Sequence, residues 1–309
     1  MLRETSRKTS GGDQRYTILG RLGEGGMGVV FEATDSKFHR PVALKFARCP
    51  ASGLQASQRL AREAAAMALP HGSRTCSVYD LATCGGRPCL VMERLVGSTL
   101  EARLTEESLE TSAVIRIAVQ VTEALEAIHQ VGLVHQDIKP ANLFITTSGR
   151  VKVLDFGLAT VFGDPSGGAA TKRAGRSVIG TPNYVAPERL LKRPADFRSD
   201  LFSLGVVIYE MATGWPAFAA DSPAEVIFKV LEANPASLRA LAPARPVGLE
   251  RIVMKLLARD PDNRYWSAAD VKKALLGVDC PHPNARLQDR APRLGRAVPV
   301  AAPSGRRQR

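Results

Sequence analysis

His135-Gln136-Asp137-Ile138-Lys139-Pro140-Ala141-Asn142, followed thirteen residues further on by Asp155-Phe156-Gly157, decides how this chain reads. It gathers a carboxylate that can take a proton, a cation that can face a phosphate and two groups that seek a hard metal ion. Phosphoryl transfer uses those four parts. Asp137 precedes Lys139 by two positions and Asn142 by five, a spacing too tight for a regular helix and suited to a loop bent around one point. Asp155 stands ahead of a glycine, where a turn can swing its carboxylate into the same space.

Toward the N-terminus, Gly23-Glu24-Gly25-Gly26-Met27-Gly28 lies between two predicted strands, where glycines let a backbone approach a phosphate with its N–H groups inward. Alone the pattern is weak. The strand that follows argues against a dinucleotide turn, which needs a helix N-terminus under the pyrophosphate. Val42-Ala43-Leu44-Lys45-Phe46 alternates, so Ala43 and Lys45 share one face, a small residue beside a cation that suits a planar base with its phosphates beyond. Taken singly, Lys45 reads more readily as a lysine on a solvated strand face. In the predicted helix from Gln58 to Leu69, Glu63 falls on the stripe of Leu60 and Met67. A carboxylate on an inward stripe is costly without a cation, and Lys45 is the candidate.

Around these motifs the period of the apolar residues changes once. Tyr16 to Leu22, Val29 to Ala33, Pro41 to Ala47 and two stretches flanking Gly85-Gly86 read as strands. Beyond Thr99, Val114, Ile117, Ala118, Val121, Leu125 and Ile128 recur at threes and fours in a long helix that ends near Gly132. Further helices are predicted at Leu201 to Thr213, Pro223 to Ala233, Leu249 to Ala258 and Ser267 to Leu276. A strand-rich portion followed by a helix-rich one implies an α+β, bilobal body with its junction near Leu95 to Ser98.

The 309 residues, 45% of them apolar, are enough for one large domain or two lobes. No apolar run reaches the roughly eighteen residues that would span a bilayer, and Met1 to Arg15 lacks a signal-peptide core, so the expected location is cytoplasmic. The net charge of +12 points to no specific nucleic acid, because half of the excess sits in an arginine-rich stretch from Cys280 to Arg309, read as a disordered, solvated tail. The five cysteines are irregularly spaced and read as reduced thiols; Cys84 and Cys89 bracket a hairpin turn rather than a zinc knuckle.

The glycine loop, Val42-Ala43-Leu44-Lys45, Glu63, His135-Gln136-Asp137, Lys139, Asn142, Asp155-Phe156-Gly157 and Ala186-Pro187-Glu188 stand in the order and spacing of the protein kinase signature set. Over about residues 16 to 277 the chain resembles the Ser/Thr protein kinases of the type found in bacteria. The resemblance implies a flexible N-terminus (1–15), a kinase domain (16–277; N-lobe 16–95, C-lobe 99–277) and a basic tail (278–309). It implies ATP and Mg2+, for which Mn2+ can stand in, protein substrates with Ser or Thr acceptors, and self-association for autophosphorylation.

Residue by residue, the resemblance makes Leu22 and the loop Gly23, Glu24, Gly25, Gly26, Met27, Gly28 a cover over the phosphates. Lys45, held by Glu63, would bind the α- and β-phosphates, and Asp155 and Asn142 would hold the metal. Asp137 would accept the proton of the attacking hydroxyl and Lys139 would stabilise the transferring group. Adenine would sit between Val30 and Ala43 on one side and Phe144 on the other, bonded to main chain at Glu93 and Leu95 with Met92 behind. Asp200 resembles an anchor of the catalytic loop, Glu188 and Arg264 a structural ion pair, and Met67, Phe156 and His135 an apolar spine. Thr181 fits the threonine that contacts Asp137 and Lys139.

Two departures from the pattern matter. Gln136 stands where many regulated kinases carry arginine, which implies less dependence on phosphorylation of the segment holding Thr160, Ser166, Thr171 and Ser177. Ala141 stands where kinases that prefer arginine upstream of the target often carry glutamate. Two other classes share the fold: a pseudokinase scaffold, which the presence of Lys45, Asp137, Asn142 and Asp155 opposes, and a small-molecule kinase, which lacks the long segment from Asp155 to Glu188.

Overall fold

A computed structural model describes residues 15–25, 28–47, 53–69, 73–161 and 182–279. The N-terminal portion is an antiparallel sheet of β1 (Tyr16–Gly25), β2 (Gly28–Asp35), β3 (Arg40–Ala47), β4 (Val78–Cys84) and β5 (Arg87–Glu93), in the order β1-β2-β3-β5-β4. One helix, α1 (Gly53–Ala68), packs on it. The strands fall where branched residues alternate, and the β4–β5 hairpin turns at two glycines, whereas β2 and β3 are joined through Ser36-Lys37-Phe38-His39. Gly85 and Gly86 have φ of 58° and 75°, the pair of positive values that a two-residue hairpin matched to strand twist requires.

Register sorts the sheet into two faces. Val30 pairs with Lys45, Lys45 with Leu90 and Ala43 with Met92, so these five side chains project to one side. Val42, Leu44, Phe46, Cys89 and Val91 project to the other and form a small apolar cluster of their own with Ala33. The first face meets α1. There Leu60, Met67 and Leu90 belong to the main core, which continues without a break into the helical portion through Leu133, Phe156 and Phe202.

That portion begins with β6 (Gly97–Thr99), α2 (Leu100–Glu106) and α3 (Thr111–Gln130). The short strands β7 (Leu133–Val134), β8 (Leu143–Thr146), β9 (Val151–Val153) and β10 (Thr160–Val161) follow, with a turn of 3₁₀ helix at Pro140–Asn142. They form a ladder β6-β8-β9 and a pair β10-β7. Then come α4 (Pro187–Leu190), α5 (Phe197–Thr213), α6 (Pro223–Glu232), α7 (Leu238–Leu241), α8 (Val247–Leu256) and α9 (Ala268–Leu276). Asp196 caps α5 by accepting from the Arg198 N–H, and Gly214 closes it in the left-handed conformation. Every residue of α5 from Ser199 to Tyr209 is buried, as befits a helix apolar on all sides at the centre of its lobe.

Helix α1 starts at Gly53, five residues before the predicted Gln58, and α5 starts at Phe197 rather than Leu201. In α5 the polar run Arg198-Ser199-Asp200 precedes the apolar stripe. Among the described residues no helix is long and apolar enough to cross a membrane. Gly26, Met27, Cys49, Ser166, Thr171, Ser177, Thr181 and the tail from Cys280 lie outside the described residues.

Candidate active site

Asp137 sits on a loop between β7 and β8 whose shape is fixed by its own side chains. Asn142 donates its amide to the Asp137 main-chain carbonyl and to Asp137 Oδ2, both at 2.8 Å. Lys139 Nζ lies 3.0 and 2.8 Å from the two Asp137 carboxylate oxygens. The three residues read from the motif therefore meet around one carboxylate. Beneath them, Asp200 at the start of α5 accepts from the N–H groups of His135 at 2.8 Å and Gln136 at 2.7 Å, and lies 3.0 Å from His129 Nε2. Burial pushes the Asp200 carboxyl up, but His129, His135 and the Gln136 N–H together hold it below the ordinary carboxylate range.

These bonds hold Gln136 at a φ of 66°, a conformation that a residue with a side chain adopts only when its surroundings enforce it. The Asp137 N–H donates to His135 Nδ1, which fixes the proton on Nε2, where it is donated to the Leu154 carbonyl at 3.1 Å. The Leu154 N–H in turn donates to the Asn142 carbonyl at 2.8 Å. The loop around Asp137 and the residue preceding Asp155 are thus one hydrogen-bonded assembly.

Asp155 also has a positive φ, 59°, and accepts the Gly157 N–H at 3.1 Å. Its turn aims the carboxylate at the sheet. Lys45 Nζ lies 3.0 Å from Asp155 Oδ1 and 2.5 Å from Glu63 Oε1, so the lysine of β3 bridges a carboxylate of α1 and one of the opposite lobe. The Lys45 and Glu63 side chains are only 8% and 4% exposed, which makes the pair an interior feature rather than a surface contact. Burial pulls the Lys45 ammonium down, but Asp155 and Glu63 outweigh it and hold it above its ordinary value. Asp155 is likewise pushed up by burial and more than restored by Lys45, and ends below its usual range.

Val30, Ala43 and Met92 share the sheet face of Lys45, and Phe144 is a half-buried residue of β8 in the opposite lobe. Leu22, Gly23, Glu24 and Gly25 end β1, and Gly25 pairs with Gly28 of β2. Gly28 has a structural reason to be glycine: a Cβ there would stand 2.1 Å from the Phe46 carbonyl oxygen. At Gly23 and Gly25 an added Cβ meets nothing within 4 Å, so each faces open space. The Glu93 N–H is bonded to the Ser77 carbonyl at 2.9 Å.

Sequence reasoning missed two contributors, Lys152 and Arg189. Lys152 of β9 is buried and donates to Glu93 Oε2 at 2.6 Å and to the Thr75 carbonyl, tying the segment after β5 to the helical lobe. Arg189 of α4 donates to the Gln136 carbonyl, and Gln136 donates its side-chain amide to Thr160 Oγ1. Lys152 lies in no recognisable motif and Arg189 just beyond one, Ala186-Pro187-Glu188; only a buried cation at an otherwise apolar strand position, as at Lys152, could have drawn notice. The structural expectations fare well. Glu188 and Arg264 form a two-pronged pair at 2.9 Å each, and the ring of His135 stands 4.8 Å from that of Phe156.

The donor set suits a hard divalent cation. Asn142 has its side-chain amide nitrogen committed to Asp137, so its side-chain Oδ1 is the atom left to act as a ligand, and the Asp155 carboxylate is the neighbouring oxygen donor. Among the described residues no group of three or more His, Cys, Asp or Glu side chains could hold a metal ion alone. An ion here needs phosphate oxygens as well, which is how magnesium is usually held beside nucleotides.

A strand-rich lobe that delivers a buried lysine to the carboxylates of a helical lobe defines the class of two-lobed, kinase-like domains. Residues 16–275 match the protein kinase domain model, and the chain belongs to that family. It is 38% identical over 274 residues to the serine/threonine-protein kinase PknB of Mycobacterium tuberculosis, covering 85% of this chain and 43% of that protein. It is 36% identical over 267 residues to the probable serine/threonine-protein kinase PknB of Corynebacterium glutamicum, covering 83% and 41%. To the probable serine/threonine-protein kinase SCO3848 of Streptomyces coelicolor it is 37% identical over 264 residues, covering 84% and 39%. The chain spans about two fifths of the length of each of these relatives.

Proposed function

We propose that this chain is an ATP-dependent serine/threonine protein kinase of a bacterial signalling pathway, working in the cytoplasm with magnesium, or manganese in its place. The observation that carries the reading is the convergence of Lys139 and Asn142 on Asp137, coupled through Leu154 to an Asp155 that Lys45 and Glu63 hold from the other lobe. Lys45 and the backbone of the Gly23 to Gly28 loop bind the phosphates, and Val30, Ala43, Met92 and Phe144 take the adenine, with main chain at Glu93 and Leu95 as its hydrogen-bonding partners. Asn142 and Asp155 supply oxygens to the cation, which when bound neutralises phosphate charge.

Asp137 orients the incoming serine or threonine hydroxyl and accepts its proton as the oxygen bonds to the terminal phosphorus and ADP departs. Lys139 moves from Asp137 to the charge on the transferring group. The names of the relatives support the choice of Ser/Thr proteins as substrates, and Lys139 two residues after Asp137 supports it independently. A second copy of the chain is a substrate too, with Thr171 and Ser177 as acceptors in a basic stretch.

Transfer of labelled phosphate from ATP to a generic protein such as casein or myelin basic protein tests the reading. The wild-type chain labels the protein at serine and threonine, and Asp137→Ala does not. Equal labelling by both, or none by either while ATP still binds, would leave a scaffold rather than an enzyme.

A further inference from the structure

The β4–β5 hairpin carries two cysteines that face each other. Cys84 is the last residue of β4 and Cys89 the third of β5; Ala82 pairs with Cys89 and Cys84 with Arg87, so the two thiols lie on one face at diagonal positions. Their sulfurs are 3.2 Å apart, with the Cys89 thiol donating to the Cys84 sulfur. That is inside ordinary sulfur contact and about 1 Å beyond a disulfide bond. Both are free thiols.

The surroundings divide the roles. Cys89 is fully buried in the apolar cluster with Phe46 and Val91, whereas Cys84 is half-buried at the turn end of the hairpin. The bond from Cys89 lowers the Cys84 thiol and raises its own donor, with burial opposing the first effect and adding to the second. Gly85 and Gly86 follow directly, and neither would meet another atom within 4 Å through a Cβ, so the turn has room to let Cys84 close the remaining gap. Cys76 is a contrast. Burial and the neighbouring Glu93 push its thiol up to about 12, and it donates to the Glu93 carbonyl.

We propose that Cys84 and Cys89 are an oxidisable pair, which a peroxide-class two-electron oxidant converts to an intramolecular disulfide across the hairpin. The Cys84 thiolate attacks one peroxide oxygen, breaking the O–O bond to give a sulfenic acid and releasing water once protonated. Cys89 then attacks the Cys84 sulfur, the S–O bond breaks, and the departing hydroxide takes the Cys89 proton. Two thiols and one hydrogen peroxide yield one disulfide and two waters. The site lies on the sheet face opposite Lys45 and does not rest on the kinase reading.

The test uses the full chain with Cys49 and Cys280 replaced by serine, treated with hydrogen peroxide, alkylated and digested with trypsin. Arg87 precedes Pro88, so trypsin leaves Cys76, Cys84 and Cys89 on one peptide from Thr75 to Arg94. The expected product is that peptide lighter by two hydrogens, carrying one alkyl group at Cys76, with no fragment ions between Cys84 and Cys89, and restored to three alkyl groups by dithiothreitol. Cys84→Ser, a change at the half-buried member, is expected to abolish the cross-link and leave Cys89 open to alkylation once unfolded. A peptide that keeps three alkyl groups, a Cys84 sulfinic acid beside an alkylated Cys89, or a bond to Cys76 overturns the proposal.

Discussion

Gln136 donates its side-chain amide to Thr160 Oγ1, and this bond joins the catalytic loop to the segment that follows Asp155 without any phosphate between them. On the other side of the loop the Gln136 carbonyl accepts from Arg189, which is drawn below its ordinary value by burial and faces Asp200, Asp137 and Glu188. A kinase with arginine at position 136 has two cations to reconcile here and needs an anion to do it. Glutamine needs none.

Activity should therefore survive removal of phosphate. Phosphatase-treated protein is expected to keep most of its turnover, and alanine at Ser166, Thr171 and Ser177 to change kcat little. Gln136→Arg should make turnover depend on prior phosphorylation. Thr160→Val should leave the Gln136 amide unpaired, at about 1–3 kcal/mol for a buried polar group. Measuring kcat before and after phosphatase on each variant checks the set; a collapse of wild-type turnover on dephosphorylation contradicts it.

The bridge from Lys45 to Glu63 and Asp155 predicts an asymmetry between its members. Lys45→Met removes the cation that bridges the buried Glu63 and the partly buried Asp155, so transfer is lost and stability falls by about 3–5 kcal/mol, the usual cost of breaking an interior pair. Glu63→Gln leaves Lys45 with Asp155, so stability falls less while kcat drops because the ammonium is no longer held back from the carboxylate proposed to hold the metal. Urea unfolding and phosphate transfer on both variants separate the effects. Equal loss of stability would mean that Asp155 contributes nothing to holding the lysine.

Three carboxylates, Asp155, Glu188 and Asp200, have folded values below their ordinary ones, despite burial that pushes each the other way. A depressed carboxylate contributes stability in full above its unfolded pKa, about 3.9 for Asp and 4.3 for Glu, and loses it as pH falls through the folded value. Stability should thus be flat in these groups near neutrality and decline below about pH 4. Asp200→Asn should be less stable at neutral pH and show a shallower acid decline. Denaturation midpoints followed from pH 7 downward test the slope.

Much of this was legible because the chemistry confines it to short motifs and the lobes differ in apolar period. Lys45, Glu63, Asp137, Asn142 and Asp155 each sit in a pattern, and α3 and α5 are long enough for periodicity to speak. What escaped has physical reasons. The strands β6 to β10 run two to four residues, too short for alternation to register, and α2 is seven residues capped by Thr99, whose side chain accepts the Ala102 N–H. Arg189 and Lys152 act through main-chain carbonyls and one glutamate far away in sequence. Such partnerships arise from tertiary folding and leave no local spacing to read.

The glycine loop offers the sharpest separation of fold from function, because its glycines are glycine for different reasons. At Gly28 an added methyl would press on the Phe46 main-chain oxygen, which can withdraw only if β2 and β3 part. Gly28→Ala should therefore cost stability, at least the 1–3 kcal/mol or so typical of overpacking, with ATP affinity falling as a consequence. Gly25 has open space around it, so Gly25→Ala should leave the unfolding midpoint within about 0.5 kcal/mol of wild type, the range of surface changes. If the open space is where phosphates dock, the same methyl obstructs the backbone's approach to them and raises KM for ATP. Unfolding curves paired with ATP titrations distinguish the outcomes, and a Gly25→Ala protein with unaltered KM would remove the loop from the nucleotide site.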